Sequence, residues 1–176
     1  MTTISPLLLA QSNEWLSEVS TYFVASDSDD VNDLQRDGAT AVIDLAAEFA
    51  SGSHGRNRAL IARVVGRLSD IQVRDFALGS HDDETLENYW GMWSYLIRIA
   101  PAGYVAPVAT LLAAIAYEKG EKTIADQALI RAHEDDPKYS LALLLRRVFA
   151  AGWPPQAFAS MRHELHPKVC AAIFMS

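Results

Sequence analysis

Residues 105–158 are punctuated so firmly by helix-ending residues that only stacked antiparallel helices fit them. Gly120 closes one helical run, Pro137 a second, and Gly152 followed by Pro154-Pro155 a third. Glycine supplies the left-handed turn that ends a helix, and proline cannot continue one. The first run, residues 105–119, is apolar on nearly every side, which marks a central buried helix. Its partner, residues 122–134, is more amphipathic. The third, residues 139–151, sets Leu141, Leu144, Leu145 and Val148 toward the interior and Arg146 and Arg147 toward solvent.

The remainder of the chain repeats this helical period. Ser5-Pro6 begins a helix carrying Leu8, Trp15, Leu16, Val19 and Phe23. A polar loop ending in Asp29-Asp30 can cap a second, with Val31, Leu34, Ala41, Val42, Leu45 and Phe49 on one face. Ser51-Gly52-Ser53-His54-Gly55 reads as a linker. Beyond it come a stripe from Leu60 to Leu68, a short helix opened by Asp70, and an aromatic helix with Tyr89, Trp90 and Trp93 after the acidic start Asp82-Asp83-Glu84. Pro154-Pro155 and Pro167 each open a further helix. No segment alternates as a strand does. The expectation is an all-α compact bundle of about eight or nine helices. It forms one domain over residues 1–176, with an acidic N-terminal helical hairpin (1–50) joined by the linker 51–55.

Specific words in the second half carry a resemblance. They are Asp70-Ile71-Gln72-Val73-Arg74-Asp75; Trp93, Leu96, Arg98 and Pro101; and Pro107-Val108-Ala109-Thr110-Leu111-Leu112-Ala113. They continue with Gly120, Ala125, Ala128, Asp136-Pro137-Lys138-Tyr139-Ser140-Leu141-Ala142, Leu144-Leu145 and Gly152-Trp153-Pro154-Pro155. This stretch, about residues 68–158, resembles the C-terminal half of the actinobacterial domain-of-unknown-function 4192 family. Earlier residues match more weakly, as in a short or divergent relative. The resemblance implies no activity and no catalytic residue. Within it, Leu112, Ala113, Gly120, Ala125, Ala132 and Pro137 are similar in spacing to one tetratricopeptide-type helix pair, with an ordinary helical hairpin as the alternative. Only one copy occurs, whereas a repeat array needs about three.

Charge and cysteine content narrow the function. Residues 1–50 hold nine acidic residues against one basic, Arg36, a net of −8 in a chain of net −7. Such a segment opposes nonspecific binding to nucleic acid or anionic lipid. The single cysteine, Cys170, excludes an internal disulfide and fits a reduced, cytoplasmic setting. No basic residue precedes the short apolar run near the N-terminus, so no secretory signal is expected. The longest apolar run contains Pro107 and is too short for a bilayer, so the expectation is a soluble protein with no membrane association.

Chemistry-bearing constellations are weak. His163-Glu164-Leu165-His166 lacks the four-residue histidine spacing of a zinc protease and is followed by Pro167. Cys170 lies among apolar residues, where a thiol packs as a small hydrophobe. No serine elbow or phosphate loop occurs. No metal, cofactor or catalytic residue is therefore expected. Arg56, Arg63 and Arg67, seven and four residues apart, can line one helical stripe, with Arg58 beside it; pairing with the amino-terminal acids is preferred over phosphate binding. Arg74-Asp75 is a candidate buried ion pair that fixes helix register.

The expected function is a non-enzymatic helical module or regulator that binds a protein partner, with self-association through a surface of Phe158, Ile173 and Phe174 as one form of it. Arg56, Arg63, Arg67, Trp90, Trp93, Phe158 and Phe174 are the candidate partner-binding residues. A nucleic-acid-associated regulator using the arginine stripe is the alternative. A small enzyme with an aromatic pocket at Tyr89, Trp90 and Trp93 ranks last.

Overall fold

The break that sets the amino-terminal architecture is at Ser12. In the computed structural model, which describes residues 5–53 and 55–175, Ser12 Oγ accepts the Trp15 N–H at 3.3 Å and starts a new helix. Residues 5–23, expected as one helix, are therefore split into α1 (Pro6–Ala10) and α2 (Asn13–Ser20). There follow α3 (Val31–Ala50), α4 (Arg58–Arg67), α5 (Ile71–Gly79), α6 (Leu86–Ile99), α7 (Val105–Glu118), α8 (Lys122–Asp135), α9 (Ser140–Ala150) and α10 (Pro155–Phe174). The described residues thus form ten helices and no strand, an all-α fold as expected but with more helices. His54, in the expected linker, lies outside the described residues.

The carboxy-terminal expectation is also corrected. Pro167 opens no helix of its own; it sits inside α10. Proline removes one backbone N–H from the helical ladder, which costs least where water can reach the freed carbonyl. His163, Pro167 and Lys168 are all exposed, so this turn faces solvent.

The centre of the fold is α7. All thirteen residues from Val105 through Tyr117 are buried, as its apolar surface requires. Gly120, at φ 78°, turns the chain back: its N–H donates to Tyr117 O and that of Glu121 to Ala116 O, satisfying the last carbonyls of α7. Ala109, Ala113 and Ala116 on α7 and Ala125, Ala128 and Ala132 on α8 are buried, and small side chains let the two helices pack along their length. The Asp135 carboxylate then returns to the start of α7. It accepts N–H groups of Gly103, Val105 and Ala106 at 2.7, 3.1 and 2.9 Å, a cap supplied from another helix.

The acidic hairpin is sewn to the body. Trp15 and Val19 are fully buried in the same core cluster as Trp93, Ile115 and Ile173. Leu8, Leu16 and Phe23 are exposed, so only part of the expected stripe is used. α2 packs against α4 at Gly66, where an added Cβ would stand 2.4 Å from Val19 O; only glycine permits that approach. Asp30 occupies the N-cap of α3 but its side chain makes no capping bond. Asp70 does cap α5, accepting the N–H groups of Gln72 and Val73.

Candidate functional site

α9 turns two leucines away from the core, Leu143 and Leu144, and of these only Leu144 lines a cleft. Leu141, Ala142, Leu145 and Phe149 are buried, but Leu144, expected in the interior, is 49 % exposed. The reason is that α9 packs on α7 and α8 through the 141/145/149 face, leaving Leu144 on its flank. Leu165 on α10 is likewise 49 % exposed, and Trp153 in the connection is 39 % exposed. These three meet across a cleft of about 360 Å³ walled by α5, α9 and α10. A larger hollow of about 540 Å³ lies near the start of α7, but its Asp135 carboxylate is the cap just described.

Beneath the cleft sits an aromatic floor. Tyr117 stacks on Phe149 with centroids 4.0 Å apart, and Phe158 meets both edge-on at 6.0 and 6.1 Å. The Tyr117 hydroxyl donates to Trp153 O, tying the connection to α7.

The charged side chains in the wall are paired, Arg162 with Glu118 behind it and Arg74 with Asp75, while the buried His166 Nδ1 has no partner among the described residues. Arg162, almost fully buried, donates Nε–H to Glu118 Oε1 at 2.6 Å, Nη2–H to Glu118 Oε2 at 3.3 Å, and Nη1–H to the carbonyls of Leu78 and His81 at 3.2 and 3.0 Å. His81 Nε2 also contacts Glu118 Oε2. Three elements (the α5–α6 connection, α7 and α10) are joined by this buried cluster. Arg74, also buried, binds Asp75 Oδ1 at 3.0 and 2.8 Å and lies 5.7 Å over the Tyr139 ring. The expected Arg74–Asp75 pair therefore exists, but Asp75 is 34 % exposed and both residues lie on α5, so the pair is only half-buried and joins no second helix. The stacking on Tyr139 links α5 to the start of α9. Burial pushes the Tyr139 phenol up to about 12. His166 packs 5.2 Å from Phe76, with Nε2 at 3.4 Å from Cys170 Sγ. Burial pushes the Cys170 thiol up as well.

Protonation of this region opposes folding. Burial, reinforced by the Arg162 charge, depresses the His81 imidazole despite its Glu118 contact, and burial and Arg162 likewise depress His166. Burial alone would raise Glu118; its hydrogen bonds to His81 and Arg162 reverse that and hold the carboxyl low. For each histidine the folded pKa lies below the unfolded one, so the unfolded chain binds more protons between the two values. Stability from the histidines is thus complete above about pH 6.5 and declines below it, by no more than about 1.4 kcal/mol per pH unit for each. Urea midpoints measured from pH 8 to 5 are expected to be flat, then fall. His81→Gln should lower the plateau and make the fall shallower; an unchanged slope would contradict the assignment.

The residues singled out in the sequence are dispersed. Arg56 is exposed ahead of α4 and has no ion pair among the described residues, so it does not extend a helical stripe. Arg63 and Arg67 both reach Asp37, at 3.5 and 2.9 Å, and lie over the Tyr22 ring at 5.5 and 5.2 Å. Arg58 pairs with Glu18 at 2.9 Å. Arg58, Arg63 and Arg67 thus engage the acidic hairpin, the preferred expectation, and Arg56 does not. Trp93 is buried in the core, and Trp90 is partly covered by Lys119, whose Nζ is 4.9 Å from the ring. Phe158 and Ile173 are fully buried, which corrects the expected carboxy-terminal contact surface; Phe174 is 43 % exposed and packs edge-on against Phe76. Of the seven candidates, only Phe158 borders the cleft, as part of its floor. The Arg162–Glu118–His81 cluster was not foreseen. Its one sequence signal is an arginine four residues after Phe158 and three before Leu165, inside an apolar stripe.

Among the described residues no helix is long and apolar enough to cross a membrane. Comparison with curated proteins and with solved structures finds no match for the chain. A family model does match, over residues 10–156, reaching well before Leu68 and stopping at the start of α10. The chain therefore belongs to the family described as Domain of unknown function (DUF4192).

Proposed function

We propose that this chain is a non-enzymatic protein-interaction module whose contact surface is the cleft between α5, α9 and α10. One observation carries this reading. Leu144, Trp153 and Leu165 are exposed on three neighbouring segments yet converge on one concavity. Exposed apolar residues scattered singly need no explanation, whereas convergent ones mark contact sites. The paired state of Arg74 and Arg162 supports it further: the wall presents hydrocarbon, and its charges are already occupied. The single helix pair α7–α8 acts in this reading as a rigid base and not as a unit of a repeat array. The lone cysteine is consistent with a reducing, cytoplasmic location.

The reading is tested by placing a photo-crosslinking residue at Leu144 and, separately, at Ile43, an exposed position on α3 away from the cleft. Leu144 should crosslink a discrete protein in the native cell extract, and Leu165→Asp should abolish that product. Crosslinking from Ile43 should be unaffected by Leu165→Asp. Equal products from both positions would remove the cleft as the contact surface.

A further inference from the structure

We propose that the occupant of the cleft is an amphipathic α-helix of a partner protein, bearing acidic residues beside its apolar stripe. This rests on the cleft being the contact surface and adds the shape and charge of what it receives. Shape comes first. The lining runs from Leu141 to Val148 on α9 and from Phe158 to Val169 on α10. At about 1.5 Å rise per residue these walls are about 10 and 16 Å long. That is two to three helical turns, matching a helix anchored by apolar residues at i, i+4 and i+7.

Charge is the second argument. The chain as a whole is acidic, but residues 138–176 hold Lys138, Arg146, Arg147, Arg162 and Lys168 against one acid, Glu164. Arg147 follows Leu144 by three residues and Lys168 follows Leu165 by three, so helical spacing puts both beside the apolar lining. Both are exposed, and neither has an ion-pair partner among the described residues. The carboxylate in the wall, Asp75, is neutralised by Arg74; Glu164 lies on the Lys168 flank, outside the lining. An apolar floor with cations at two rims selects an acid-flanked helix and disfavours a base-flanked one.

The test uses two labelled fifteen-residue peptides on an alanine background. Each carries leucines at i, i+4 and i+7, flanked by glutamates in one and by lysines in the other. Fluorescence anisotropy with the full chain should show the glutamate peptide binding about tenfold more tightly at low salt, with the gap narrowing as salt rises. The double variant Arg147→Glu, Lys168→Glu should reverse the preference, and Leu144→Asp should abolish binding of both. Equal binding of the two peptides would overturn the charge selection while leaving the cleft as the contact surface. Binding of neither, or binding indifferent to Leu144→Asp, would overturn the cleft itself. Self-association by light scattering that is lost in Leu144→Asp would make a second copy the occupant and overturn the partner helix.

Discussion

Replacing Arg162 with methionine is expected to destabilise the fold by about 3–5 kcal/mol, close to the largest loss any single substitution here can cause. The cost does not measure how much the native ion pair contributes. It arises because Glu118, whose side chain is only 7 % exposed, would keep its charge in the interior without its partner. The carbonyls of Leu78 and His81 would lose a donor at the same time. The second substitution Glu118→Leu should therefore restore the part of the loss that comes from the stranded charge, since an apolar pair removes that desolvation problem. The two carbonyls and His81 Nε2 would stay without partners. Urea denaturation of the single and double variants checks both, with m-values unchanged if the native and unfolded states keep their compactness. A loss under about 1 kcal/mol in Arg162→Met would show that water or His81 compensates Glu118, and the buried-cluster account would fail.

That cluster also shows where sequence reading stops. Gly120, Pro137 and Pro154 act on their own neighbours, so the α7, α8 and α9 boundaries can be read from local rules. The pairing of the α4 arginines with the acidic hairpin was legible for a different reason: opposite charges in one small domain have few other places to go. His81, Glu118 and Arg162 are dispersed over three elements, and no local rule relates them. Only the position of Arg162 within an apolar stripe hints that its charge must be met inside. The cleft was illegible because Leu144 has the spacing of a core residue. Which face of α9 is covered depends on how it seats on α7 and α8, and the opposite wall depends on α10, which continues through Pro167 against the usual breaking rule.

The family model covers α2 to α9 whole and ends at the first residues of α10. The wall carrying Met161, Leu165 and Val169, and the cation Lys168, thus stands outside the matched region. The α7–α8 pair and the α9 wall with Leu144 and Arg147 lie inside the matched region, and the α10 wall lies beyond it.

Trp15→Ala is the other large effect, expected at about 3–5 kcal/mol from the cavity left by a fully buried indole. The indole also does something no aliphatic residue can. Its Nε1–H donates to Ile99 O at 2.8 Å, and Ile99 is the last residue of α6, where carbonyls lack intrahelical partners. Trp15→Phe separates the two contributions: it keeps most of the packing, and its expected cost of about 1–3 kcal/mol reflects the unsatisfied carbonyl. Leu8→Ala, at a site 63 % exposed, should change stability by less than about 0.5 kcal/mol and serves as the control. Both tryptophan variants should still unfold in a single transition, because Val19, Val42 and Leu45 belong to the same core cluster as Trp93 and Ile115. Coincident urea curves from circular dichroism and from tryptophan fluorescence would bear this out. An early step confined to one probe, with α2 amides exchanging ahead of those in α7, would instead make the acidic hairpin a separately folding unit held to the body by Trp15.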